Sequence, residues 1–275
     1  MRLIVPLLLA VNLWGAGAQR IVSTAPRITE SLFAMGLGPR VVGVTIYCKY
    51  PEEALKLPKI GTLLKPDVEA IVALRPDLVV VSDQHGHLAE QLSRLHIPSV
   101  EMQSQNLDAI YAGVRAIGKA AGAVDAAERM IQGMQSQLQS IAQRTAGQPK
   151  PTVAFIVGHT AGRLEGLVAG GGSSYFSDLL RYAGGINIFA DVVTPYPKIS
   201  LEEILSRDPD VIMELSGDTR PKQEEVLALW QSKRSLKAVR SGRVYALEST
   251  PFIVPGPRAV EAVKQILRLL HPEMP

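Results

Sequence analysis

The chain has 275 residues, of which 47% are hydrophobic and 20% charged, with a formal net charge of +3. That composition supports a substantial core, and at roughly 100 to 200 residues per domain the length predicts two lobes. Basic residues are scattered rather than arranged in a stripe, so nucleic acid is not expected as a partner, and the single cysteine, Cys48, rules out an internal disulfide.

Met1-Arg2, the apolar run over residues 3–13 and the small residues Ala16-Gly17-Ala18 have the layout of a cleavable secretory signal. Residues 1–18 are assigned to it, and the mature chain is expected in the periplasm. Removing Arg2 lowers the formal charge from +3 to +2. No later segment approaches the roughly 20 uninterrupted apolar residues that a bilayer requires.

The N-terminal lobe, residues 19–123, begins with a predicted strand at 21–23. A helix at 28–35 stops at Gly36 and Gly38, and strand character returns at 41–44. The alternation continues with helices at 66–74, 88–95 and 108–121 and strands at 78–81 and 99–102. Alternating strands and helices imply a parallel sheet covered on both faces. The connecting segment, residues 124–147, is rich in helix formers and lacks proline until Pro149, which predicts one helix of ~30 Å at ~1.5 Å per residue. The C-terminal lobe, residues 148–275, repeats the pattern with strands at 152–157, 211–214 and 244–247 and helices at 174–183, 224–230 and 258–270. The fold class is therefore α/β, with two Rossmann-like lobes built on parallel sheets, joined by one long backbone helix, and a ligand cleft between them.

An internal repeat supports two related lobes. Val68-Glu69-Ala70-Ile71-Val72 leading to Pro76-Asp77-Leu78-Val79 recurs as Leu201-Glu202-Glu203-Ile204-Leu205 leading to Pro209-Asp210-Val211-Ile212. Each copy reads as a helix stopped by proline and followed by a buried strand, and each offers a glutamate in the first turn of its helix. Taken alone, Glu69 and Glu202 are equally explained as acidic residues that suit a helix N-terminus.

Several motifs together resemble the helical-backbone (class III) periplasmic substrate-binding proteins of ABC importers, and most closely their cobalamin-binding members. They are Arg20-Ile21-Val22-Ser23 followed by Thr29-Glu30-Ser31-Leu32-Phe33-Ala34-Met35-Gly36; Val42-Gly43-Val44 with Tyr47-Cys48-Lys49-Tyr50-Pro51; and Gly184-Gly185-Ile186-Asn187-Ile188-Phe189. The resemblance implies that Glu69 and Glu202 dock into arginine pockets of a permease dimer coupled to cytoplasmic ATPase subunits. Membrane contact would occur only through that permease, and the receptor is expected to be a monomer. It also implies a metal-containing ligand, cobalamin or another corrinoid first, then heme or a ferric siderophore, with no resident cofactor.

The expected cleft loops are residues 24–27, 45–51, 82–87, 158–165, 194–198 and 249–257. A planar macrocycle needs apolar and aromatic walls with a few orienting polar groups, for which Tyr47, Tyr50 and Tyr196 are candidates. By the resemblance, Tyr196 replaces a tryptophan that packs on the corrin, while Leu63 and the Ser82-Asp83 pair stand where two other tryptophans would. Asp83, His85, His159 and Arg258 complete the candidate ligand contacts. His85 and His87 are also weighed as metal ligands, against the alternative of a polar loop entering a helix. The run Gly170-Gly171-Gly172-Ser173-Ser174 reads either as an anion cradle or as a turn with an N-cap serine. A chelatase-like enzyme is the competing class, but no G-x-S-x-G or H-E-x-x-H motif occurs, so no catalysis is expected.

Overall fold

A computed structural model describes residues 17–215, 223–247 and 250–274. Most of the assigned secretory signal, residues 1–16, lies outside the described residues, as does residue 249 of the last expected cleft loop. In chain order the first lobe contains β1 (Ile21–Ser23), α1 (Pro26–Ala34), β2 (Val41–Val44), α2 (Val68–Ala73), β3 (Leu78–Ser82), α3 (Gly86–Arg94), β4 (Ser99–Met102) and α4 (Leu107–Ala120). α5 (Val124–Arg144) leads into β5 (Thr152–Gly158), β6 (Leu167–Ala169), α6 (Tyr175–Tyr182), β7 (Ile186–Asn187), β8 (Lys198–Ile199) and α7 (Leu201–Arg207). β9 (Val211–Leu215), α8 (Gln223–Gln231), α9 (Lys237–Arg240), β10 (Val244–Leu247), α10 (Thr250–Ile253) and α11 (Ala259–Leu270) complete the second lobe.

The first sheet has the order β2-β1-β3-β4 and is parallel throughout. The second runs β10-β9-β5-β6-β8, with β7 alongside the start of β5. It is mixed rather than parallel, because β6 pairs antiparallel with both β5 and β8. The cause is local: Thr160 N–H donates to the Glu165 carbonyl at 2.8 Å, closing a short turn that sends the chain straight back along β5. Strands of two or three residues such as β6, β7 and β8 carry too few side chains to register as a period in the sequence.

The internal repeat is realised in the structure as the same sequence of cap, helix, left-handed residue and strand clamp. Asp67 caps α2 by accepting from Ala70 N–H, and Ser200 caps α7 in a reciprocal capping box with Glu203. After each helix one residue takes a left-handed backbone, Arg75 at φ 47° and Asp208 at φ 41°, immediately before the proline. The aspartate that follows clamps the incoming first strand of its lobe. Asp77 accepts from Gln19 and Arg20 N–H, both at 2.8 Å, and Asp210 accepts from Thr152 N–H at 2.9 Å and its hydroxyl at 2.8 Å.

α5 has 21 residues and buries Ala127, Ile131, Met134, Leu138 and Ile141 along one face. One continuous set of buried side chains runs from Ile28 and Leu32 through Ile131 and Leu138 to Phe155, Leu179 and Ile266. The lobes therefore share a core across α5. The outer faces of the two sheets carry separate clusters, around Ile71 and Val79 in the first lobe and Ile204, Ile212 and Trp230 in the second. Among the described residues, no helix is long and apolar enough to cross a membrane.

Candidate functional site

The carboxyl ends of the two sheets face one another across a cavity of about 360 Å³. Loops after parallel strands supply its lining. Pro26 and Arg27 follow β1, Asp83 and Gln84 follow β3, and Ser104 and Gln105 follow β4, while Leu63 comes from the stretch between β2 and α2. The opposite wall is Val157, Phe176, Tyr196, Leu215 and residues 252–255 of the second lobe. One wall is polar and the other apolar.

The polar wall is organised by Arg27, which is only 5% exposed. Its Nη2 donates to the Ser82 hydroxyl at 2.7 Å, to the Met102 carbonyl at 3.3 Å and to the Asp83 carboxylate. Nε is buried without a partner, and Nη1 makes no hydrogen bond among the described residues, which leaves Nη1 as the nitrogen open to the cavity. Burial pulls the guanidinium below its ordinary pKa, opposed by the adjacent carboxylate. The second oxygen of Asp83 accepts from the Ser104 backbone and hydroxyl, both at 3.1 Å. Asp83 thus braces α1, the end of β3 and the loop after β4 against each other.

The apolar wall is held by an aromatic series. Phe155 in β5 stacks on Phe176 at 4.2 Å between ring centroids, and Phe176 meets Tyr196 edge-on at 6.1 Å. Burial, with the Asp83 charge in support, pushes the Tyr196 phenol up to about 12, so it remains a protonated donor. The loop carrying Tyr196 is pinned where Gly171 N–H donates to the Pro195 carbonyl at 2.8 Å. A Cβ on Gly171 would lie 2.0 Å from the Thr194 carbonyl oxygen, so only glycine permits that approach.

Of the residues expected from sequence, Asp83 and Tyr196 line this cavity. Tyr47 and Tyr50 are each 51% exposed. Tyr50 lines a neighbouring recess with Glu30 and Arg258. There the Arg258 guanidinium lies 4.4 Å from the Tyr50 ring and holds Glu30 through two bonds, at 2.9 and 2.5 Å, so it ties the lobes together instead of facing the cavity. The His85 Nε2 meets the Leu63 carbonyl, which positions Leu63, and His87 is exposed in the first turn of α3. Among the described residues, no group of three His, Cys, Asp or Glu side chains is placed to hold a metal ion. His159 is directed to Glu214 at 2.8 Å and to the Thr160 carbonyl at 2.7 Å.

The glycine run is not an anion cradle. Gly170, Gly171 and Gly172 donate their N–H groups to the Phe155, Pro195 and Val192 carbonyls, and Ser174 caps α6 by accepting from Ser177 N–H. The expected cleft loops span Arg27, Gln84 and Phe252 without singling them out as ligand contacts, whereas Gln105 and Phe176 lie outside every expected loop. Their common signal is position: four of the five stand within a few residues of the carboxyl end of a strand.

Residues 21–251 match the periplasmic binding protein family. The chain belongs to that family. It is 32% identical over 273 residues to the vitamin B12-binding protein of Salmonella paratyphi A, covering 98% of this chain and 96% of the relative. The structure of the periplasmic vitamin B12 binding protein of Vibrio cholerae superposes with a TM-score of 0.75 at 26% identity, covering 92% of this chain and 97% of that one. The periplasmic heme-binding protein of Roseiflexus sp. RS-1, in apo form, gives 0.77 at 25% identity, covering 93% and 99%.

In this periplasmic binding protein Glu69 and Glu202 are both exposed, and neither carboxylate has a partner among the described residues. α2 leads into β3 and α7 into β9, so each helix runs back against its strand and places its first turn on the side of the strands' carboxyl ends. Both glutamates therefore stand on the side of their lobe that carries the cleft.

Proposed function

We propose that the chain is the substrate receptor of an ABC importer, which captures cobalamin or a related corrinoid in the interlobe cleft and delivers it to a permease dimer. The observation that carries this reading is the cavity itself, with a braced aromatic and apolar wall facing a polar one at the carboxyl ends of two sheets. The named relatives that bind vitamin B12 support it. Binding draws on apolar macrocycle surface removed from water at about 25 cal/mol per Å², offset in part by ordering of loops and ligand. The receptor carries out no reaction, works from the periplasm after cleavage of its signal, and meets the membrane only through the permease, which Glu69 and Glu202 engage.

A heme receptor is the second reading, favoured by the Tyr196 hydroxyl in the cavity and by the heme-binding structural relative. Titration calorimetry of the mature chain against cyanocobalamin, heme and a ferric siderophore panel separates the readings. Submicromolar binding of the corrinoid alone is expected. Tight heme or siderophore binding moves the ligand, and no binding by any of them overturns the receptor assignment.

A further inference from the structure

Among the described residues lining the cavity, Arg27 and Asp83 are the only charged ones, and they are paired with each other. The remaining polar lining is neutral: the side-chain amides of Gln84 and Gln105, the Ser104 hydroxyl and the Tyr196 phenol. A carboxylate that enters such a site loses water and finds a cation whose charge is already answered at hydrogen-bond distance. A neutral amide carbonyl asks for much less. It needs one donor, and Arg27 Nη1 remains unpartnered among the described residues on a guanidinium that Ser82, Asp83 and Met102 hold in place. The Gln105 amide is likewise oriented, donating to Gln103 Oε1 at 3.0 Å.

We propose that the Arg27–Asp83 pair makes the cavity selective for metal-bearing macrocycles whose rim carries neutral amides and against those whose rim carries free carboxylates, with Arg27 Nη1 donating to a rim amide carbonyl. This deepens the receptor reading above and rests on it. Asp83 acts here as a specificity determinant through Arg27. Its negative charge cancels the attraction that the guanidinium would otherwise exert on an anionic rim, so discrimination comes from an element built against the wrong ligand as well as from contacts to the right one.

The test compares two corrinoids that share ring and metal and differ in rim charge: dicyanocobinamide, with amides, and dicyanocobyrinic acid, with carboxylates. Calorimetry on the purified chain is expected to show the amide form bound about 100-fold more tightly by the wild type. Asp83→Asn leaves the guanidinium unanswered and should narrow that ratio by about tenfold, whereas Arg27→Gln leaves the carboxylate alone and should widen it. Thermal melts establish that each variant is folded. Should Asp83→Asn fail to fold, Arg27→Gln carries the test, and an unchanged ratio in that variant overturns the inference. Equal binding of the two corrinoids by the wild type, or a ratio that neither variant moves, also overturns it. Binding of neither corrinoid to the wild type overturns the corrinoid reading on which this inference rests, and the proposed selectivity with it.

Discussion

His159 sits among acceptors. Its Nε2 faces Glu214 Oε1 and its Nδ1 faces the Thr160 carbonyl, while Glu214 Oε2 already accepts from Trp230 Nε1 at 3.0 Å. Both ring nitrogens can donate at once only when the imidazole is protonated. The hydrogen bond to Glu214 raises the histidine pKa, with burial working against it. A raised native pKa means that the stabilisation is fully present below the unfolded value of about 6.5 and is lost as pH rises through the native one. Thermal melts from about pH 6 to about pH 9 should therefore show wild-type stability falling more steeply than that of His159→Gln, and parallel curves would refute the charged pair. Cys48 has a simpler account. It is 1% exposed, lies 3.2 Å from the Thr45 hydroxyl, and burial pushes its thiol pKa up, which favours the protonated thiol over the nucleophilic thiolate.

At the scale of elements, the lobes are tied by more than α5. Glu30 in α1 holds Arg258, which stands just before α11, and Asp178 in α6 accepts from the Leu107 N–H at the start of α4 at 2.9 Å. The Glu30 side chain is 2% exposed, so truncating its partner leaves a buried carboxylate without a counter-charge. Arg258→Met should cost about 3 to 5 kcal/mol, and Glu30→Gln added to it should recover part of that loss. Urea unfolding with unchanged m-values checks both statements. A loss below about 1 kcal/mol would mean that the pair contributes no more than a surface ion pair.

For the whole molecule, a core continuous through α5 and two polar ties across the seam restrict the lobes to small adjustments about the cleft. On the proposed docking role, a rigid body with a matched carboxylate on each lobe would register on a two-fold permease by two separated contacts, each accepting paired hydrogen bonds from a guanidinium. Reversing both charges, Glu69→Lys with Glu202→Lys, should abolish corrinoid uptake by the importer while ligand affinity in calorimetry stays within about twofold. Uptake that survives the double reversal would remove these residues from docking.

The sequence by itself determined what depends on neighbours along the chain: the alternating strands and helices, the proline stops, the caps and the repeat that pairs Glu69 with Glu202. These follow from side-chain period and backbone restriction, which act over a few residues. Tertiary structure decided what depends on distant partners. Arg258, by sequence a candidate cleft cation, is held instead by Glu30, 228 positions earlier, and Arg27 organises the polar wall only because Ser82, Asp83 and Met102 converge on it. Which loop residues face the cavity is set by how two sheets meet end to end, and no local period in the chain encodes that arrangement.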